Sequence, residues 1–170
     1  ADANGRITTA LGNLQITNAL LAQKPTETIT FNGNLDARAT APSALDAGGN
    51  VINAVFNATD PATYNFTSTS TVYDSAGAAH QVTLYFAKDA TAANQYNVTA
   101  SIDDVVQPET ASLIFDNTGV LDITSVTALN LATYAPANAN AQPINIDFSS
   151  ITGYGALSAT SGVTQDGYAA

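Results

Sequence analysis

Short stretches in which apolar and polar residues alternate one by one run through most of this 170-residue chain. Within residues 28–35, the side chains of Ile29, Phe31 and Leu35 share one face, and residues 80–87 alternate in the same way. Successive side chains of a β-strand point to opposite faces of the sheet, so a spacing of two predicts a half-buried strand. No segment shows the sustained 3.6-residue spacing of an amphipathic helix.

Turn residues separate these alternating segments. The clearest pair, 64–73 and 80–87, flanks Asp74–Gly77, where an Asp can bond the backbone two residues on and a Gly tolerates positive φ. A β-hairpin is therefore predicted. Asp116–Gly119 reads as a second turn, and Gly33 predicts a bulge in the first strand. Further strands are predicted within 51–56, 96–102, 113–115, 121–123 and 144–148.

Two segments lack this pattern and are predicted to be loops. Residues 39–61 contain Pro and Gly turn signals, and residues 128–142 are rich in Ala, Asn and Pro. Residues 18–24 could form one helical turn, which is too short to be a stable helix by itself. The predicted fold is all-β, an antiparallel sandwich or a flattened β-barrel.

Charge excludes two classes of partner. The chain has 4 Lys and Arg against 14 Asp and Glu, a formal net charge of −10. Nucleic acids and anionic membrane surfaces both require clustered basic residues, so neither is a predicted partner. The chain contains no Cys and no apolar run of 18 residues, which favours an exported protein without a membrane-spanning helix. It begins with Ala1 rather than Met, as expected of a piece of a longer protein.

Residues for catalysis are scarce. His80 is the single histidine, and its position just after a hairpin turn predicts a solvated turn residue. Thiolate chemistry is excluded without Cys, and no G-x-S-x-G motif is present. The chain is therefore predicted not to be an enzyme and to have no catalytic residue. A hydrolase that uses His80 is the weakest of the functions considered.

No metal or other cofactor is predicted. Calcium would need clustered oxygen ligands, for which Asp103, Asp104, Asp116 and Asp122 are the candidates. Neither pair matches a calcium-loop pattern, and both are predicted to belong to hairpin turns. Adjacent carboxylates on a strand would also point to opposite faces, so Asp103 and Asp104 do not form a glycosidase pair.

Four tyrosines leave a second function open. Tyr64, Tyr73, Tyr85 and Tyr96 could line a sugar-binding face, although tyrosines in strands more often pack against cross-strand neighbours. A cell-surface adhesin or glycan-binding β-domain therefore stands as the alternative function.

Residues 70–86, Ser-Thr-Val-Tyr-Asp-Ser-Ala-Gly-Ala-Ala-His-Gln-Val-Thr-Leu-Tyr-Phe, closely resemble the hairpin of the bacterial flagellar hook protein family. That family shows T-V-Y-D-S-x-G-x-x-H followed by an alternating strand ending in Tyr-Phe. Other segments resemble the family in the same order, namely 16–24, 113–121, 142–154 and 164–168. The resemblance is weakest at 39–63 and 88–112.

The resemblance implies a structural subunit of the flagellar hook, the tubular universal joint between rotary motor and filament. The implied partners are other copies of the chain in a helical tubular polymer, together with rod, hook-cap and hook–filament junction proteins. The implied location is extracellular. A distal-rod protein is the related alternative, which the 70–86 hairpin disfavours.

The family's terminal helical coiled coils have no counterpart here, since neither end shows heptads. The predicted organisation is a flanking stub at 1–24 leading from an inner domain, a β-rich middle domain at 25–155, and a flanking stub at 156–170 leading back. Without the polymerising helices, the isolated fragment is expected to be a monomer.

Overall fold

The computed structural model describes residues 22–122, 124, 127–132, 134–137 and 139–169. Ten strands and one short 3-10 helix, Pro61–Thr63, make up its regular structure. The strands are β1 (Thr28–Asn34), β2 (Ser43–Leu45), β3 (Val51–Asn53), β4 (Phe66–Tyr73), β5 (Ala79–Lys88), β6 (Gln95–Ile102), β7 (Val105–Ile114), β8 (Ala128–Leu131), β9 (Ile144–Thr152) and β10 (Ala159–Gln165).

Two four-stranded sheets pack face to face. The first has the order β10-β1-β9-β8 and the second has the order β4-β5-β6-β7, while β2 and β3 form a separate two-stranded ribbon. The two sheets share no strand and do not close into a barrel, so the all-β prediction is confirmed as a sandwich. No helix among the described residues has the length and apolarity needed to cross a bilayer.

One strand pair departs from the antiparallel pattern. β1 runs parallel to β9, with Ile29 opposite Ile146, whereas the other strand pairs of both sheets are antiparallel. Parallel neighbours need a long connection, and here that connection includes the whole second sheet. Alternation within a strand does not report which distant strand lies beside it, so the sequence did not predict this pair.

The core lies between the sheets and is made of the apolar residues that alternate along the strands. Phe31 and Phe148 of the first sheet meet Phe86 of the second, with ring centroids 5.2 to 6.1 Å apart. All three rings are fully buried. The core also includes Ile29, Leu35, Val72, Val82, Leu84, Tyr96, Val98, Ala100, Ile102, Leu113, Leu129, Leu131, Ile144, Ile146 and Ile151.

The predicted hairpin is present as β4 and β5, paired from Phe66 opposite Phe86 to Tyr73 opposite Ala79. Its turn begins at Asp74, whose Oδ1 accepts hydrogen bonds from the backbone N–H groups of Ala76 and Ala78, both 2.8 Å long. Gly77 has φ 79°, which only a residue without a Cβ adopts readily. The turn residues identified in the sequence therefore form the turn.

β7 is longer than predicted. The alternation suggested a strand over residues 113–115, but β7 begins at Val105, directly after a two-residue turn at Asp103 and Asp104. Pro108 breaks the pattern in the sequence. The structure accommodates it in a bulge, because the register shifts between Thr99 and Ser101 of β6. Edge strands tolerate proline, since a proline removes no ladder bond on the free side.

Three strands were not predicted. β2 lies within 39–61, which was predicted to be a loop, and all three of its residues are exposed. β8 lies within 128–142, which was predicted to be a loop, and only Leu129 and Leu131 point inward from it. Two apolar residues are too few to show a period. β10 is polar and largely exposed, so it has no apolar face that a pattern could reveal. Ile123 and most of the possible helical turn at 18–24 lie outside the described residues.

Residues 39–65 lie over the outer face of the second sheet at one end. Phe56 and Tyr64 pack on Tyr85 of β5, with ring centroids 5.1 Å from it in each case. The predicted strand at 51–56 is limited to β3, where Asn53 donates a 2.8 Å hydrogen bond to Asp89. Several such donors hold the pKa of Asp89 far below its ordinary value, despite burial that raises it.

Gly33 confirms the predicted bulge, because the pairing of β1 with β10 shifts register between Asn32 and Gly33. A Cβ at residue 33 would lie 2.7 Å from the carbonyl oxygen of Ala159 and 2.9 Å from the ring of Phe31. Neither atom can move freely, since one belongs to a strand backbone and the other to the core.

We expect Gly33→Ala to lower the free energy of unfolding by about 1–3 kcal/mol, the usual cost of overpacking. The matched control is Gly162→Ala in the adjacent strand β10, where an added Cβ has no described heavy atom within 4 Å. The control is expected to leave stability unchanged or slightly higher. Urea unfolding monitored by circular dichroism compares the two, and equal effects would contradict the packing argument.

Candidate functional site

The two ends of the sandwich domain meet at one place, which we call the junction and define by Lys24, Thr26, Gln165, Asp166 and Tyr168. Lys24 and Tyr168 exchange backbone hydrogen bonds of 3.0 and 2.9 Å. This bridge extends the pairing of β1 with β10 beyond both strands. The chain segments before β1 and after β10 are therefore held side by side.

Asp166 ties the two segments together by its carboxylate. Its Oδ1 accepts the backbone N–H groups of Glu27 and Thr28 at 2.9 and 3.0 Å, and its Oδ2 accepts the Lys24 ammonium at 2.6 Å. Burial alone would raise the pKa of Asp166, but these hydrogen bonds outweigh it and lower that pKa below its ordinary value. The carboxylate is thus held ionised as a three-donor acceptor.

Thr26 connects the junction to the second sheet. Its buried hydroxyl donates to Gln165 Oε1 at 2.9 Å and accepts the backbone N–H of Tyr73, also at 2.9 Å. The Thr26 N–H donates to the Tyr73 carbonyl at 2.8 Å. Gln142 joins them, since its Nε2 donates to the carbonyls of Thr26 and Tyr73. Both sheets and both chain segments therefore share one hydrogen-bond network.

Gly167 lies where this network leaves no room for a side chain. A Cβ there would lie 2.3 Å from Thr26 Oγ1 and 2.7 Å from the Thr26 nitrogen. The neighbouring Gln165 accepts the Gly167 N–H at 2.6 Å. The Gln-x-Gly-Tyr sequence at 165–168 therefore has a physical basis. These residues lie within the hook-like segment 164–168, but no pattern in the sequence indicates that they meet Thr26 and Gln142.

His80 lies at one end of the core and is not a solvated turn residue as predicted. It pairs across the hairpin with Val72, a core residue, and its side chain is 17% exposed. Its Nδ1 lies 2.6 Å from Asp103 Oδ2 and its Nε2 lies 3.2 Å from Asp74 Oδ2. The signal that could have identified this position was its phase, because His80 alternates on the same side as Val82, Leu84 and Phe86.

The contacts of His80 go with shifted pKa values for the ring and for the groups around it. Burial lowers the pKa of His80, but hydrogen bonds to Asp103 and Asp74 outweigh it and raise the net pKa above its ordinary value. The same bond from His80 is the largest cause that lowers the pKa of Asp103. Burial, followed by the charges of Asp103 and Asp74, raises the pKa of the nearby Tyr134 to about 12.

The acidic residues considered for calcium lie in turns, as predicted. Asp103 and Asp104 form the β6–β7 turn, with φ values of 49° and 65°. Asp116 Oδ1 accepts the backbone N–H groups of Thr118 and Val120, and Asp122 Oδ1 accepts that of Thr124. Among the described residues, no three His, Cys, Asp or Glu side chains are grouped to hold a metal ion. The prediction that the chain has no metal site stays a prediction.

The four tyrosines do not form one face. Tyr96 points into the core, where its hydroxyl donates to the carbonyl of Asp36 at 2.7 Å. Burial raises the pKa of Tyr96 to about 12. Tyr64 and Tyr85 contact each other on the outside of the second sheet, and Tyr73 is bonded at the junction through its backbone. Ring packing accounts for Tyr64, Tyr85 and Tyr96, and backbone hydrogen bonds account for Tyr73, so no sugar is needed to explain their positions.

The class that these features define is an all-β sandwich domain whose first and last strands are neighbours and whose two chain segments are bonded at a junction. A model of the flagellar basal body protein FlaE D2 domain matches residues 34–168, and the chain belongs to this family.

Sequence relatives agree with the family. The chain is 32% identical over 140 residues to the flagellar hook protein FlgE of Salmonella typhimurium, covering 79% of this chain and 32% of that protein. It is 29% identical over 163 residues to the flagellar hook protein FlgE of Escherichia coli, covering 92% of this chain and 37% of that protein. The chain thus spans about a third of the length of these relatives.

A solved structure has a similar fold. It is the 32 kDa fragment of the flagellar hook protein FlgE from Caulobacter crescentus, with a TM-score of 0.50 and 19% sequence identity. The match covers 61% of this chain and 47% of that chain.

We expect Thr26→Val to lower the free energy of unfolding by about 1–3 kcal/mol, because it leaves the Tyr73 N–H without its acceptor. Valine has nearly the shape of threonine, so the change tests the hydroxyl. Thr28→Val, two residues along on an exposed position, is the control and should have little effect. Thermal unfolding by calorimetry measures both. If Thr26→Val behaves like Thr28→Val, the hydroxyl does not hold the junction.

Proposed function

We propose that this chain is a β-rich domain of a structural subunit of the bacterial flagellar hook, the tubular polymer that couples the rotary motor to the filament. The observation that carries the proposal is the family match over residues 34–168 together with the names of the relatives. The β4–β5 hairpin, which bears the hook-like sequence in 70–86, adds local support because its Asp, Gly and His all have structural roles.

The location and partners follow from the proposed role. The domain would lie outside the cell in the hook, and its partners would be other copies of the same subunit. In the full-length protein, rod, hook-cap and hook–filament junction proteins would join them. The proposed role involves no catalysis and no cofactor. Among the described residues, His80 bonds the carboxylates of Asp74 and Asp103, and a ring held by both of its nitrogens suits a structural role.

We propose that the chain consists of a middle domain at 25–155 and two flanking segments, 1–24 and 156–170. The junction supports the proposal that both flanking segments leave the middle domain at the same place, because Lys24 and Tyr168 lie side by side there. Strand β10 extends the packed structure to Gln165, so part of the closing segment contributes to the first sheet before the chain leads away.

Immunogold electron microscopy of the source cells, with antibodies raised against this chain, tests the location. We expect gold on a short curved segment between the cell envelope and the filament. Cells that lack the gene for the full-length protein are the control and should carry no gold. Gold spread over the cell surface would contradict the hook proposal and favour the adhesin alternative.

Binding of soluble sugars separates the two functions independently of location. We expect no saturable binding of a panel of mono- and oligosaccharides to the isolated chain by isothermal titration calorimetry, because the tyrosines are used in packing. Saturable binding that Tyr64→Ala abolishes would support a glycan-binding domain instead.

A further inference from the structure

Both ring nitrogens of His80 face carboxylate oxygens. Nδ1 lies 2.6 Å from Asp103 Oδ2, in the turn between β6 and β7, and Nε2 lies 3.2 Å from Asp74 Oδ2, in the turn between β4 and β5. A carboxylate only accepts hydrogen bonds, so both contacts are favourable only when each ring nitrogen carries a proton. The neutral ring has one N–H and can serve one of the two.

We propose that His80 is a proton-dependent clasp: its doubly protonated ring joins the two turns, and loss of one proton releases the turn between β6 and β7. The step is an acid dissociation in which Nδ1 gives its proton to a base in solution and keeps the electron pair. The ring becomes neutral, and Asp103 stays ionised.

The two carboxylates differ in how freely they can respond. The Asp74 side chain is 4% exposed and is fixed by the backbone N–H groups of Ala76 and Ala78. An ionised group that is buried there needs its partner, so Nε2 keeps its proton. The Asp103 side chain is 53% exposed and can turn toward water. The released end is therefore the Asp103 end.

Release of Asp103 removes the side-chain support of its turn. Asp103 Oδ1 also accepts the backbone N–H of Gln81 at 2.9 Å, which ties the turn to β5. Asp103 and Asp104 both have positive φ, in a two-residue turn where Asn-Gly or Asp-Gly is favoured. An Asp at the first position is tolerated and gives the turn a carboxylate that reaches His80. Without that anchor, the turn keeps the Asp103 N–H bond to the Gln81 carbonyl and the pairing of Ile102 with Val105.

Few other groups face the ring. From the segment after β8, the ring of Tyr134 makes a T-shaped contact with His80 at a centroid distance of 6.0 Å, and its raised pKa keeps its hydroxyl neutral through the relevant range. Gln107 of β7 lines a pocket together with His80 and Tyr134, and it carries no charge. The carboxylates that form ion pairs with His80 are those of Asp74 and Asp103, and Glu109 is a further carboxylate on the Gln107 side of β7.

The pH range follows from the directions of the shifts. The pKa of His80 is raised by folding, so its contribution to stability is complete below the unfolded value near 6.5 and is lost as pH rises through the folded value. The carboxyl pKa values are lowered, so their contribution is present above about 4 and is lost on strong acidification. The clasp is therefore closed in mildly acidic solution and opens toward alkaline pH.

Nuclear magnetic resonance of the whole chain provides the test, because His80 is the single histidine and its imidazole signals identify themselves. We expect its titration midpoint above 6.5, and an Nε2–H tautomer in the ¹⁵N shifts above that midpoint. The backbone amides of Gln81 and Asp103 should shift with the same midpoint, and the exchange protection of the Gln81 amide should fall as the ring is deprotonated.

Two variants of the same turn give the matched comparison. Asp103→Asn should lower the His80 midpoint toward its ordinary value and remove the linked shift of the Gln81 amide. Asp104→Asn makes the same charge change one residue along, and asparagine also tolerates positive φ, so it should leave the midpoint nearly unchanged.

Three results would overturn the proposal. They are a His80 midpoint at or below 6.5, turn amides that do not titrate with the ring, and equal effects of Asp103→Asn and Asp104→Asn. A neutral ring protonated at Nδ1 would contradict the assignment of the released end. Since wild-type protein supplies the first two results, the proposal remains testable even if a variant fails to fold.

Discussion

The contact between Phe31, Phe86 and Phe148 is the interaction on which the sandwich depends. These rings come from β1, β5 and β9 and close the space between the two sheets. A chain without Trp, Met or Cys has few other large side chains to fill a core. Once the rings meet, the alternating Ile, Val and Leu residues of β1, β5, β6 and β9 are buried on the core side.

Hydrogen-bond networks at two places then fix how the ends of this sandwich are closed. At the junction, Thr26 and Gln142 bond the Tyr73 end of β4, while Asp166 holds the segment before β1. At the hairpin turns, His80 bonds both Asp74 and Asp103. Tyr73 and Asp74 are adjacent, so the two networks meet in the hook-like hairpin sequence. For a structural subunit, this arrangement concentrates polar contacts where chain segments must be held.

Most of the second sheet could be predicted from the sequence, because its hairpins are local and their turn residues are distinctive. β7, which was predicted too short, contains Pro108. The strands that were not predicted, β2, β8 and β10, lack an apolar face long enough to show a period. For the candidate site, the sequence indicated Gln165–Tyr168 and His80 as residues of interest. It did not give their partners, since Thr26 and Gln165 are 139 residues apart.

The alternation and the turn chemistry by themselves determined that this chain is all-β, where its main hairpin lies, and which residues of the predicted strands face the core. Its net negative charge determined that nucleic acids and anionic membrane surfaces are not predicted partners. Only the tertiary structure decided that β1 lies parallel to β9, that the two chain segments meet at the junction, and that His80 lies between two carboxylates. Local patterns record the environment of one strand face, whereas these features depend on which distant segments pack together.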